Sequence, residues 1–338
     1  MTHFDKPSNT LDEHLQKLAN RGLALPDGAR ARHYLSNISY FRLSAYTWPF
    51  YQPNTKDHRF LAGTSFEDVL RLYVFDRELR LLLLDAIERL EIALRTQLAN
   101  ILAEHHGPHG YLDPGLFDSR YDHHWLLETL AKEAQARDTE VFMVHYREKY
   151  PSAPLQPPIW MAVELLTFKT VSTLFSKLRH APDTQRIEAH FGWKFPVLKS
   201  WFRSLSDLRN LCAHHSRVWN REFGSSPEIP KRAPNDWPKP PTTIATGAHL
   251  APEQTLAPQR RLYMQVLVIE SLMLRACPES RWAERLIKLL DRYPDCSRAH
   301  MGFPPDWETL PFWRDAVQAA RKLGEVPVHW EMKPIKAK

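Results

Sequence analysis

Glycine is scarce in this 338-residue chain, at 11 residues against 27 prolines. That scarcity argues against a Gly-rich nucleotide loop, and no P-loop, Rossmann fingerprint or G-x-S-x-G elbow is present. Cysteine is scarcer still. Cys212, Cys277 and Cys296 are odd in number and widely spaced, so neither a disulfide framework nor a cysteine-based zinc site is implied. Long apolar runs are missing too: stretches such as Leu81–Leu84 are far too short to span a bilayer. The polar stretch Met1 to Leu11 lacks the hydrophobic region of a secretion signal. The sequence therefore predicts a cytoplasmic, reducing setting and no membrane partner.

What remains is ordinary in bulk, with 43% hydrophobic and 25% charged residues, and long enough for a substantial core. A net charge of +6 and a pI near 9.1 favour polyanionic partners without identifying one. Apolar residues recur at helical steps, and no strand series or internal repeat interrupts them. Helices are expected over Thr10–Ala19 and Pro26–Asn37. An aromatic cluster follows from Tyr40 to Tyr51 with Arg42 inside it, able either to stack bases or to dock the N-terminal helices. The strongest signal runs from Phe66 to His105, one long helix or two in tandem, stopped by Gly107-Pro108. Further helices are expected within Tyr121–Lys149, over Ile159–Leu178 and from Pro196 to about Trp219, with a short loop around Pro182 and a less regular stretch near Gly192 between the latter two. The last two fall at Gln259–Ala276 and Glu279–Leu290. The expected fold is all-α, with an N-terminal helical segment (1–63), a helical core (64–224), a Pro-rich loop (225–258) and C-terminal helices packed on the core (259–338). The rings of Met301–Trp307 are expected to fold back on the body, and the final residues to fray.

Arg209-Asn210-Leu211-Cys212-Ala213-His214-His215 is the most informative segment. It sets a guanidinium, a carboxamide and two imidazoles at the end of an apolar helical pattern. An Arg can grip a phosphodiester in a bidentate manner and stabilise charge that builds on it. A His can move a proton near neutral pH. Those two suffice to cut RNA, whose own 2′-OH attacks the adjacent phosphate without a metal or a protein nucleophile. On a helix Trp201, Leu205, Leu208 and Cys212 form a core stripe, while Arg203, Asp207, Asn210, His214 and Arg217 share another face. Asn210 lies one turn before His214 and can fix its orientation. Arg209, however, points about 140° away from His214, so a distortion or a second chain must bring them together. A solvated surface helix explains the same residues.

The chain resembles the Abi-like family of bacterial abortive-infection proteins, of the AbiD/AbiF type. The resemblance rests on several blocks in order: the run Arg32 to Leu43, Phe75-Asp76-Arg77-Glu78-Leu79-Arg80, the run Glu88 to Arg95, the run Leu208 to Arg221, and Met301-Gly302-Phe303-Pro304. That family is assigned to the HEPN superfamily, helical domains with many metal-independent ribonucleases. The resemblance implies a HEPN-type helical bundle and a phage-defence or toxin endoribonuclease. Arg209 and His214 match the family's R-x4-H pair, and Asn210 the polar residue after its Arg. His215 completes the double His without a clear role. Because such motifs face each other across a dimer, a homodimer with a composite site is implied. Family members can also be paired with an antitoxin-like noncoding RNA. The other reading it allows is a non-catalytic RNA-binding module regulated by a small RNA.

Other clusters carry less. Glu88, Glu91 and Arg95 share a face, readable as an ion-pair ladder or as support for a site. Basic Arg217, Arg221, Lys231, Arg232 and Lys239 could guide an RNA backbone, or be solvated. Glu104, His105, His106 and His109 look like metal ligands, but Gly107-Pro108 interrupts them and the order is not H-E-x-x-H. No metal and no cofactor are expected.

Overall fold

The computed structural model describes residues 3, 8–53, 57–152, 154–239 and 258–324. Among them the chain forms thirteen α-helices and no strand, so the all-α expectation holds. Thr10 opens α1 (Leu11–Asn20) with a reciprocal capping box to Glu13. It leads to α2 (Gly28–Ile38) and α3 (Tyr40–Ser44), the latter built from the aromatic cluster. Tyr46 and Tyr51 are buried and Tyr40 stacks on His14, which docks the N-terminal helices, while Phe41 and Trp48 stay exposed.

Helix α4 (Phe66–His106) is a single unbroken element of 41 residues. Ser65 caps it reciprocally with Asp68, and Gly107 ends it at φ 78°, where glycine is unstrained. Val69, Leu79, Leu83, Ala86, Leu90, Leu94, Leu98 and Leu102 are fully buried along it. Their spacing makes α4 the axis around which α7 (Ile159–Leu165), α8 (Phe168–Ser176), α9 (Ala181–Phe191), α10 (Phe195–Ala213), α11 (Leu262–Ala276) and α12 (Trp282–Arg292) are packed. Between α4 and α7 lie α5 (His123–Gln135) and α6 (Val141–Lys149), and α13 (Pro311–Gly324) follows α12.

Four expectations from the sequence need correction. Ile159–Leu178 is not one helix: Leu166 is extended, and Thr167 starts α8 by accepting from the Thr170 N–H. Ala181–Phe191 is helical, with Pro182 in the first turn where proline is tolerated. Pro311–Gly324 is helical as well, with Trp313 fully buried and Ala316 buried. The helix from Phe195 stops at Ala213 rather than near Trp219. Met301, Phe303 and Trp307 are buried as expected. Residues 223–239 are irregular, whereas the rest of the Pro-rich loop (240–257) and the final residues (325–338) lie outside the described residues.

Candidate functional site around Arg209 and His214

Helix α10 buries Leu198, Trp201, Phe202, Leu205, Leu208 and Cys212 against its neighbours. Burial pushes the Cys212 thiol up to about 12, so it stays protonated and acts as an apolar core group rather than a nucleophile. The helix closes with paired bonds: the His215 N–H donates to Cys212 O at 3.0 Å and the Ser216 N–H to Leu211 O at 2.9 Å. This is a Schellman ending, and His215 occupies its left-handed position at φ 57°, where glycine is usual. His214 is the C-cap residue, its N–H bonded to Asn210 O at 2.9 Å.

Tertiary ties pull the chain off the helix axis here. The fully buried Asp76 of α4 accepts from the Val218 N–H at 3.1 Å, the Trp219 N–H at 2.7 Å and the Tyr46 hydroxyl at 2.7 Å, and pairs with Arg80. Burial, and then the neighbouring Asp76, push the Tyr46 hydroxyl up, which keeps it a donor. Arg42 donates to His215 O at 2.8 Å, and Arg217 to Ala45 O at 2.8 Å. Asn220, also left-handed at φ 47°, accepts from Arg261 at 3.1 Å. Gly302 lies against that Arg261, and a Cβ on it would come within 2.6 Å of the Arg261 Cβ. Arg42, and Asp76 with its partner Arg80, therefore reach the segment that follows His214 from far away in the chain, while Arg217 ties that segment to Ala45 and Arg261 ties it at Asn220. They hold the end of α10.

Arg209 and His214 do not meet within one chain. Arg209 leans toward α4, with Nε 3.9 Å from Glu91 Oε2 and Nη1 3.4 Å from Asn210 Oδ1, and its side chain remains 43% exposed. Glu91 also pairs with Arg95, which donates to Val163 O, so one carboxylate holds two guanidiniums. Glu88 is exposed and takes no part in this contact. His214 instead lines an open pocket of about 350 Å³ with Asn210, Asp207, Arg221 and Gln265. Asn210 is thus the bridge, touching Arg209 and facing the pocket of His214. Gln265 is buried, donates to Ser204 Oγ at 2.6 Å and leaves its Oε1 unpartnered at the pocket wall.

The pocket adjoins a larger groove of about 840 Å³, sharing Asp207, Gly224 and Ser225 with it. Arg120, Lys169, Lys177, Lys199 and Arg203 line that groove. Of the cations singled out in the sequence, Arg221 lines the His214 pocket and Arg217 is directed to Ala45 O, while Lys231, Arg232 and Lys239 are exposed outside both cavities. Arg203 already lay on the polar face read from the sequence, whereas Arg120, Lys169, Lys177 and Lys199 escape sequence reading because the fold gathers them from three separate stretches of the chain.

Glu104, His105, His106 and His109 do not gather as one set. His109 turns away to Gln156 O at 3.1 Å and Glu104 pairs with Arg186. His105 and His106 instead converge with His180 and Asp183, brought in by α9.

The fold and site define a class: an all-helical bundle presenting an Arg-x4-His helix end beside a basic groove. Residues 33–220 match the family model described as Abi-like protein, and the chain belongs to the Abi-like family. That membership is compatible with a role in abortive infection. No curated protein and no solved structure matches the chain. Among the described residues, no helix is long and apolar enough to cross a membrane.

Proposed function

We propose that the chain is a HEPN-type endoribonuclease acting in phage defence or as a toxin, with Arg209, Asn210 and His214 as its chemical groups. The observation that carries this reading is the His214 pocket opening directly into a groove lined by five cations. Such a groove suits a polyphosphate backbone, whose binding depends on releasing counterions to Lys and Arg. His214 takes the proton of a ribose 2′-OH, or returns one to the leaving 5′-oxygen. The 2′-oxygen bonds to phosphorus as the P–O5′ bond breaks, leaving a 2′,3′-cyclic phosphate and a 5′-hydroxyl. Arg209 clamps the phosphate and offsets its developing charge, and Asn210 orients the groups on either side.

Because Arg209 leans to Glu91 while His214 faces its own pocket, the proposed working unit is a homodimer that draws the two from different chains. The test is incubation of the purified protein with synthetic RNA, without added divalent ions, beside Arg209→Ala and His214→Ala. Cleavage by the native chain with cyclic-phosphate ends, lost in His214→Ala, supports the reading. Cleavage by His214→Ala at the native rate overturns it. The Arg209–Glu91 contact also favours a second reading, in which the groove holds a small RNA without cutting it. Salt-dependent binding with intact RNA recovered would select that alternative.

A further inference from the structure

Asp183 is fully buried in the first turn of α9, yet three imidazoles surround its carboxylate. His105 Nδ1 lies 2.6 Å and His180 Nδ1 3.0 Å from Oδ1, and His106 Nε2 lies 2.9 Å from Oδ2. The carboxylate thus faces three imidazole nitrogens, two near Oδ1 and one near Oδ2. Although near Oδ1, the buried His180 Nδ1 makes no aligned hydrogen bond. A neutral imidazole turning a bare lone pair inward is the state a metal ion uses.

We infer that His105, His106, His180 and Asp183 form a zinc site that staples the C-terminal end of α4 to the start of α9. The donor set, three imidazoles and one carboxylate, is what tetrahedral Zn²⁺ accepts, and it contains too few oxygens for Ca²⁺ or Mg²⁺. The four donor atoms lie within 4.8 Å of one another. At bond lengths of about 2.0–2.2 Å, tetrahedral ligands sit roughly 3.3–3.6 Å apart, so small rotamer adjustments close the set. The nearest cation, Arg186 at 3.5 Å from His105 Nε2, is paired with Glu104. Four protein ligands leave no open position, which marks a structural site rather than a catalytic one.

The site lies about 21 Å along α4 from Glu91 at ~1.5 Å per residue, away from Arg209. Its effect on the motif is mechanical: α9 runs through Gly192 into α10, so pinning α9 on α4 fixes the base of the helix that carries Arg209 and His214.

The test is direct metal binding by the full chain, independent of RNA cleavage. The protein is stripped with chelator, dialysed and titrated with Zn²⁺, and separately with Co²⁺ as a spectroscopic probe. One ion per chain is expected, with a rise in Tm and a tetrahedral Co²⁺ visible band. His180→Gln, at a partly exposed position that the fold tolerates, and Asp183→Asn should each weaken zinc binding more than about tenfold. Absence of stoichiometric zinc in the native chain overturns the proposal. So does native binding in folded His180→Gln, which would place any bound ion elsewhere.

Discussion

His214 and His215 are adjacent in sequence but do different work. His214 faces the pocket with Asn210 and Arg221. His215 supplies backbone: it holds the left-handed position of the helix ending, and its carbonyl receives Arg42. A non-glycine residue there costs about 1–2 kcal/mol, of which glycine's larger unfolded-state entropy returns part. His215→Gly should therefore raise stability by about 0.5 kcal/mol in thermal unfolding while leaving RNA cleavage intact. Loss of cleavage in that variant would give the His215 ring a chemical role. Arg209→Lys keeps the charge near Glu91 but loses the bidentate fork, so it should lower the cleavage rate by about 10²–10³-fold without changing Tm. The R-x4-H string and the separation of its ends around the helix were legible in the sequence, since both follow from spacing. That His215 would cap rather than face a ligand was not, because it depends on a carbonyl contact from Arg42, far away in the chain.

At the scale of elements, the end of α10 is set by α4. A single carboxylate, Asp76, collects the Val218 and Trp219 N–H groups, the Tyr46 hydroxyl and the Arg80 guanidinium. Asp76→Ala strands a buried Arg80 and two backbone donors, and should cost about 3–5 kcal/mol in denaturant unfolding. If the variant is still folded at low temperature, cleavage should also fall, because His214 loses its fixed exit from the helix. Unchanged stability would show that α10 ends for local reasons alone. Local pattern predicted the long α4 and the core stripe of α10, where apolar spacing and caps agree. It overran at Trp219 because nothing local interrupts helical spacing between Ala213 and Trp219; a lone Asp among the apolar positions of α4 was the available hint. It also merged α7 with α8, since the break at Leu166 and Thr167 contains neither Gly nor Pro. Those breaks belong to packing.

Over the whole molecule, α4 is the common wall: Glu91 meets Arg209, Asp76 holds the segment that follows His214, and His105 and His106 enter the His-Asp cluster at its far end. Behind it, α11 is buried almost throughout and carries Glu270, whose Oε2 lacks a partner. Burial pushes this carboxyl up from 4.5 to about 8. The folded chain then keeps a proton that the unfolded chain has lost. Stability from this group is fully present below pH 4.5 and declines as pH rises to about 8, at about 1.4 kcal/mol per pH unit. Glu270→Gln should flatten that decline and raise Tm at pH 8; an unchanged pH profile of Tm would contradict the assignment.

The central claim is that Arg209 and His214 cut RNA together, drawn from two chains. The most direct measurement mixes equal amounts of Arg209→Ala and His214→Ala proteins, each inactive alone, and follows cleavage of a labelled RNA. The mixture should recover cleavage with cyclic-phosphate ends, because a mixed dimer restores one complete site. No recovery, with mixed dimers demonstrably present, would contradict the claim.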